Sequence, residues 1–206
     1  MKNFVRMVML SAVLACLTGC DGWWNEDQDD EDNTASGWSI TSDFIVLDGK
    51  KWMKKNLNVE TADSWCYDNN PANCDKYGRL YTWEAAEMAC QSIGMSLPSS
   101  WEWSALEGAT GYWEEAGKKL KSTSDWDDDG NGTNEYGFSA LPGGYRDTEG
   151  SFFDVGKHGN WWTGSEVGIG GGGNARYRLI SYGGDLVHAY QDSKGHGFSV
   201  RCFKDK

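Results

Sequence analysis

The chain has 206 residues, 31 of them acidic and 19 basic, which gives a formal net charge of −12 at pH 7. That excess of negative charge argues against nucleic acid or an anionic lipid surface as a partner, because both require clustered positive charge. From residue 38 to residue 206 the chain has the length of one domain.

The first twenty residues have the anatomy of an export signal. After a basic start, the apolar run at residues 8–17 is shorter than the roughly twenty residues that a membrane-spanning helix needs. The run ends in "LTGC", which resembles the lipobox of bacterial lipoproteins. The resemblance implies that residues 1–19 are a signal peptide and that Cys20 is acylated. An ordinary cleaved secretory signal is the alternative.

Residues 20–37 form a strongly acidic stretch with no basic residue. Like charges repel one another and bury nothing, so this segment is predicted to be a disordered tether. In some bacterial lineages such a stretch resembles a surface-export signal, and a solvated spacer is the alternative. We therefore expect a protein that is lipid-anchored in the bacterial cell envelope, on the outer membrane and exposed at the surface.

Four cysteines lie beyond residue 20, namely Cys66, Cys74, Cys90 and Cys202. An even number in an exported chain predicts two disulfides, for which three connectivities are possible. Zinc is the weaker alternative, because the closely spaced cysteine pairs of structural zinc sites are missing. Turn residues between Cys66 and Cys74 favour a small hairpin closed by that pair, which leaves Cys90 with Cys202.

Three helices are predicted in the first half of the domain. Ala86, Ala89, Cys90 and Ile93 recur at the spacing of one helical face, behind the N-cap residue Thr82. A capping box at residues 99–102 predicts a second helix. A third, short helix is expected at residues 112–120.

Strand candidates follow at residues 138–141, 151–155, 160–164, 176–180, 186–190 and 198–203. In the last of these, Phe198, Val200 and Cys202 alternate on one side, as they would on a strand. Helices therefore come early and strands late, which is typical of an α+β domain.

Four segments occur in order along the chain: "GKKWMKKNLNVET", "CYDNNPANCDKYGRLYTWEAA", "WDDDGNGTNEYGFSALPGGYRDTEGSF" and "GFSVRCFKD". Together they resemble the Fibrobacter succinogenes major paralogous domain, a large family of exported bacterial proteins, from Leu47 to Asp205. The family is related to the C-type-lectin-like fold, which formylglycine-generating enzymes share. The resemblance implies that fold, with a long loop region and a disulfide from the early helix to the last strand.

One acidic stretch is similar to a calcium-binding loop. Asp125, Asp127 and Asp129 fall on positions 1, 3 and 5 of such a loop and Gly130 on position 6, but Tyr136 stands where a bidentate glutamate is required. The favoured interpretation is a polar loop whose Asp and Asn side chains bond local backbone amides. Calcium at the three aspartates is the alternative, and no other cofactor is expected.

No catalytic constellation is apparent from the sequence. The G-x-S-x-G nucleophile elbow of serine hydrolases is missing. Cys202 stands alone where the resemblance to formylglycine-generating enzymes would require two close cysteines. The three histidines, His158, His188 and His196, lie outside any motif. We therefore expect that the protein is not an enzyme.

Aromatic residues in or near the predicted long-loop region are the remaining functional candidates: Trp113, Trp126, Tyr145, Trp161 and Trp162. An exposed ring could stack on a sugar face, whereas a tryptophan buried in the core is the alternative for each position. Trp161 and Trp162 are neighbours on a strand and face opposite ways, so at most one is expected in the core of a one-sided sheet.

The function predicted from these features is that of a non-enzymatic cell-surface lipoprotein. It would serve adhesion, or bind a glycan or a protein, through loops of a lectin-like domain. An enzyme related to formylglycine-generating oxidases and a purely structural envelope protein are the alternatives, because a fold by itself licenses no function.

Overall fold

A computed structural model describes residues 43–168 and 172–205 of the chain. The predicted signal peptide, the acylated Cys20 and the tether at residues 20–37 lie outside these ranges. Within them, none of the helices combines the length and the apolar composition needed to cross a membrane.

The described residues form an α+β domain, as predicted. The helices are α1 (Pro71–Tyr77), α2 (Trp83–Ser92), α3 (Ser100–Thr110) and α4 (Tyr112–Leu120). The strands are β1 (Phe44–Leu47), β2 (Lys50–Met53), β3 (Ser64–Trp65), β4 (Leu80–Tyr81), β5 (Gly143–Arg146), β6 (Phe152–Val155), β7 (His158–Val167), β8 (Asn174–Ser181), β9 (Val187–Ser193) and β10 (Phe203–Asp205).

The strands make three sheets in the described part of the chain, and the largest has five strands. Its order is β6-β5-β7-β8-β9, while β1-β2-β10 and β3-β4 form the smaller sheets. Neighbours in the large sheet are antiparallel except β5 and β7, which pair in parallel through Gly144 and Gly159. This mixed sheet is the platform on which the candidate site is built.

The three helices predicted from capping and periodicity are confirmed. The hydroxyl of Thr82 accepts a hydrogen bond from the backbone N–H of Ala85, which starts α2. Ser99 and Glu102 form the capping box that starts α3, and each satisfies an amide that the helix leaves without a partner. Glycine at residue 111 then separates α3 from α4.

The segment between Cys66 and Cys74 is not the small hairpin that its turn residues predict. It forms a short 3-10 turn followed by the first residues of α1. The side chain of Asn70 accepts a hydrogen bond from the backbone N–H of Ala72, and Pro71 opens the helix. An amide N-cap and a proline at the first helical position both favour helix initiation, so a helix forms here.

Two strand predictions were also wrong. Residues 138–141 form no strand and share only a single bridge with Lys121, at Ala140. The C-terminal strand is confined to β10, because the residues before it pair in turn with different elements. Conversely, residues 143–146, which are not among the strand candidates, form β5, where Gly144 adopts a φ of 67° and packs against the backbone of β6.

Both predicted disulfides are confirmed. Cys66 is bonded to Cys74, and Cys90 on α2 is bonded to Cys202, 112 residues later. The second bond lies in a completely buried environment, since both of its cysteines are 0% exposed. It holds the C-terminal part of the chain against α2.

The C-terminal segment at residues 197–203, hereafter the terminal segment, joins several elements. Gly197 pairs with Arg146 on β5, whereas Phe198 pairs with Tyr81 on β4. Ser199 bonds to β7, and the carbonyls of Val200 and Cys202 accept from residues 57 and 53. Phe198, Val200 and Cys202 all enter one core, so the predicted alternation of sides is correct although most of the segment is not a regular strand.

Buried apolar side chains form two clusters in the described residues, one on each face of the five-stranded sheet. The first packs α2 and the terminal segment around Trp162, and the second packs α3, α4 and β2 around Trp161. Both tryptophans are 0% exposed. The expectation that at most one of them is core was wrong, because the sheet is covered on both faces.

Candidate functional site

Three of the five aromatic candidates cannot offer a ring to a ligand. Trp126, Trp161 and Trp162 are buried, and the indole N–H of each donates a hydrogen bond inside the domain. The prediction of a binding role for them is corrected by this burial. The side chain of Trp113 lies outside the described part of the chain, and Tyr145 remains a candidate.

The three aspartates at 125, 127 and 129 do not form a calcium cage. Asp125 is held by Lys76 at 2.6 Å and by the Ser124 hydroxyl at 2.8 Å, and these hydrogen bonds lower its pKa. Among the described residues, no group of three or more His, Cys, Asp or Glu side chains is arranged to hold a metal ion. The arrangement of these residues therefore gives the calcium alternative no support.

The favoured interpretation, a polar loop, accounts for this stretch. The backbone N–H of Trp126 donates to the amide oxygen of Asn131 at 3.1 Å, so an Asn side chain bonds a local amide. Gly130 and Gly132 lie so close to neighbouring backbone that a side chain would collide with carbonyl oxygens of residues 182 and 118. The glycines serve close packing of the loop.

A cleft of about 250 Å³ opens on the face of the five-stranded sheet that carries Trp162. Asn160 pairs with Leu179 and Trp162 with Tyr177, so these side chains share that face. We call this opening the sheet cleft, and its lining includes residues from all five strands. They are Tyr145, Asp154, His158, Asn160, Tyr177, Leu179, Asp192, His196 and Phe198.

Aromatic rings form the walls and floor of the sheet cleft. Phe198 packs on Trp162 and on Tyr177, with ring centroids 4.4 and 4.5 Å apart. His196 stacks on Phe198 at 5.7 Å, and Tyr145 lies 6.1 Å from the same ring. The terminal segment thus supplies the central ring, and two strands supply the tyrosines that flank it.

The aromatic row continues beyond the cleft to both edges of the sheet. On the β6 side, Phe153 stacks on Tyr145 at 5.4 Å and is 41% exposed. On the β9 side, Tyr190 lies 5.9 Å from Tyr177 and is 50% exposed. From β6 to β9 there are four interstrand spacings, about 19 Å, so the row is long enough for an extended ligand.

Two carboxylate–histidine pairs stand in the sheet cleft. Asp154 lies 3.2 Å from Nδ1 of His158, and Asp192 lies 3.4 Å from Nδ1 of His196. The backbone of Asp154 adopts a φ of 61°, which breaks the alternation of β6. Asp154 therefore lines the cleft although its neighbour Phe153 shares the cleft face. Aspartate and asparagine adopt this left-handed conformation more readily than other residues with a side chain.

The two cleft tyrosines are neutral hydrogen-bond donors at physiological pH. Burial raises the pKa of Tyr177 to about 12, and the negative charge of Asp192 contributes to the rise. Burial likewise raises the pKa of Tyr145 above 10.0, helped by Asp154. Asn160, only 2% exposed, is fixed at the floor because its amide donates to the Gly144 carbonyl at 3.3 Å.

Most cleft residues were missed by sequence reasoning. Only Tyr145 had been selected, because its neighbours on the cleft come from strands that are distant in sequence. One signal was available: Asp-x-x-x-His occurs twice, at 154–158 and at 192–196, each time next to a turn. The spacing indicates a local pair, but it does not reveal that the two pairs share one cleft.

Among the comparisons with known proteins, the comparison with family models finds a match. No curated protein and no solved structure matches the chain. The family model described as the Fibrobacter succinogenes major domain matches residues 43–204, which is nearly the whole of the described range. The chain therefore belongs to the Fibrobacter succinogenes major domain family.

Proposed function

We propose that this protein is a non-enzymatic, lipid-anchored protein of the bacterial cell surface that binds a saccharide in the sheet cleft. The observation that carries the proposal is the combination of aromatic ring faces with carboxylate, amide and phenol groups in one concave site. Ligand sites are typically concave, with apolar walls and a few converging polar groups that fix orientation.

The chemistry of the lining suits a sugar. Apolar C–H faces of a sugar ring can stack on Tyr145, Tyr177 or Phe198, as other apolar groups do on aromatic rings. Sugar hydroxyls can donate to the carboxylates of Asp154 and Asp192 and accept from the tyrosine phenols. The exposed rings at the two ends of the row favour a polysaccharide chain over a single sugar.

We also propose that the domain has a C-type-lectin-like fold. Its support is the order of helices before the large sheet and the covalent link from α2 to the C-terminal segment. In this proposal the ligand binds on the sheet instead of through the loops that carry Trp126.

Oxidase chemistry of the formylglycine-generating type has less support. It would need a close pair of cysteines near the C-terminus, and Cys202 is instead bonded to Cys90 in a completely buried disulfide. A binding protein is therefore the better proposal for this chain.

Binding is tested with the purified full chain against a panel of neutral polysaccharides, by pull-down and then by calorimetry with oligosaccharides. Tyr190→Ala removes a ring at the open end of the row and is expected to weaken binding about 2- to 12-fold, the effect of one ring contact. Tyr112→Ala is the matched control, because Tyr112 is 71% exposed and does not line the cleft. Absence of binding across the panel would refute the proposal.

Anchoring is tested separately by Cys20→Ala. The variant should move from the membrane fraction to the soluble fraction of cells, because the acyl chains provide the membrane affinity. A variant that stays in the membrane fraction would contradict lipidation at this residue.

A further inference from the structure

We infer that the Cys66–Cys74 disulfide is a site of thiol–disulfide exchange with an external dithiol, separate from the sheet cleft. The bond lies at a second cavity of about 600 Å³, whose lining includes both cysteines and Arg79. Cys66 is partly exposed, whereas Cys74 is 5% exposed. An incoming thiolate can therefore reach the sulfur of Cys66.

Arg79 supplies the chemical reason for exchange at this bond. Its Nη1 lies 3.8 Å from the sulfur of Cys66 and 3.8 Å from that of Cys74. A positive charge at this distance stabilises a thiolate and lowers the pKa of its thiol. A thiol of lower pKa is also a better leaving group in exchange.

The other charged groups at the cavity do not replace that role. Glu60 bonds the outer side of the Arg79 guanidinium at 3.2 Å and is itself 81% exposed in its side chain. Asp75 also lines the cavity and would oppose a thiolate. Arg79 is the one cation among the described lining residues, and its Nε is fixed by the Ser64 hydroxyl at 3.0 Å.

The local fold tolerates opening of this bond. The disulfide closes a short excursion between β3 and β4, where Trp65 pairs with Leu80. The strand pairing keeps both ends of the excursion in place when the sulfurs separate. Cys90 and Cys202, in contrast, are completely buried and join parts of the chain 112 residues apart.

Exchange at this bond takes place in two steps. The external thiolate attacks the Cys66 sulfur, a mixed disulfide forms there, and Cys74 leaves as a thiolate next to Arg79. The second thiol of the external dithiol then loses its proton. It attacks the first sulfur of the same dithiol, which is bonded to Cys66 in the mixed disulfide, and Cys66 is released as a thiolate. The external dithiol is oxidised to a disulfide, and Cys66 and Cys74 are reduced by the same two electrons.

The test titrates the full chain with dithiothreitol as the dithiol probe, followed by alkylation and peptide mapping. We expect Cys66 and Cys74 to be reduced and alkylated while Cys90–Cys202 stays oxidised and circular dichroism stays native. Simultaneous reduction of both disulfides, or reduction that only accompanies unfolding, would overturn the inference.

Variants at residue 79 test the mechanism apart from mere exposure. In the reduced protein, Arg79→Gln should raise the pKa of the Cys74 thiol by about one unit, measured from the pH dependence of alkylation, and slow exchange about threefold. Arg79→Lys keeps the charge and should restore most of the lowered thiol pKa and most of the exchange rate. Equal rates and equal thiol pKa values in the three proteins would show a structural disulfide only.

Discussion

The two faces of the five-stranded sheet are both apolar at their centres but differ at their margins. On the face under α3 and α4, here the α3 face, Trp161 lies in a cluster that the helices cover. On the cleft face, Trp162 is covered by α2 and the terminal segment, and this cover ends at Phe198. Two helices cover a broad strip of the sheet on the α3 face, whereas next to α2 a single extended segment covers only a narrow strip of the cleft face. The sheet cleft exists where the narrow cover ends.

Polar residues follow the same division. On the α3 face, Arg178 is almost completely buried and bonds Glu107 on α3 at 2.7 Å. On the cleft face, Asp192 and His196 form a longer pair that water reaches. The first pair joins a strand to a helix, and the second remains available to a ligand. Substitutions on the α3 face are therefore expected to change mainly stability, and substitutions on the cleft face mainly binding.

The largest effect should come from the covalent link that holds the terminal segment on the cleft face. Replacing both Cys90 and Cys202 by Ala should lower the free energy of unfolding by about 4–5 kcal/mol, because the bond closes a loop of more than 100 residues. The measurement is urea denaturation followed by tryptophan fluorescence. The Cys66→Ala and Cys74→Ala pair is the control, with an expected loss of about 2.5 kcal/mol for its shorter loop. An equal loss for both pairs would contradict the expectation.

Removing the central ring of the α3 face should be almost as costly. Trp161→Ala should destabilise by about 3–5 kcal/mol in the same denaturation experiment, since it leaves a cavity and removes one of the two donors to the Asn56 amide oxygen, the other being Nε of Arg201. Trp101→Ala, at a tryptophan that is 78% exposed, should change stability by less than about 0.5 kcal/mol. Similar losses for the two variants would place Trp161 outside a packed core.

Breaking the buried ion pair on the α3 face should lower the free energy of unfolding by about 3 kcal/mol. Arg178→Met leaves Glu107 without its charged partner, and an unpaired buried carboxylate destabilises a fold strongly. Burial already raises the pKa of Glu107, and losing Arg178 should raise it further. Asp192→Asn is the control on the cleft face and should cost less than about 1 kcal/mol, because that pair is solvent-exposed. A small effect of Arg178→Met would show that the two pairs are equivalent.

The smallest effect concerns pH and the cleft face. Folding raises the pKa of Tyr177 from 10.0 to about 12, so between these values the folded chain holds a proton that the unfolded chain releases. Stability should therefore fall as pH rises from 10 to 12, by about 1 kcal/mol after allowance for the ring's partial exposure. Thermal unfolding of Tyr177→Phe and of the parent protein from pH 9 to pH 12 checks this. As the pH rises, the variant should lose less stability than the parent protein. Parallel pH profiles would refute it.

Local signals in the sequence predicted those elements that depend on neighbouring residues. The caps at Thr82 and Ser99 start helices because a side chain bonds amides two or three residues later. The pairing of Cys66 with Cys74 could likewise be predicted, since the two are close in sequence. The hairpin predicted there was wrong because the helix-initiating role of Asn70 and Pro71 was overlooked.

Long-range pairing was harder to predict. The side chains of residues 197–203 alternate as they would on a strand. Successive backbone groups of this segment nevertheless hydrogen-bond to different elements, and only β10 is a regular strand. The burial of both Trp161 and Trp162 depends on what covers each face, and alternation along one strand does not contain that information. The spacing of Asp125, Asp127 and Asp129 likewise does not reveal that Lys76 from α1 binds the first of them.

By itself, the sequence determined the family, the α+β class, the starts of α2, α3 and α4, and the two disulfides. These follow from composition, from contacts a few residues apart and from a pattern that spans the domain. Only the tertiary structure decided which aromatic rings are buried and which line a cleft. That choice depends on strands brought together from residues 145 to 198, whose side chains meet only when the sheet and the terminal segment are in place.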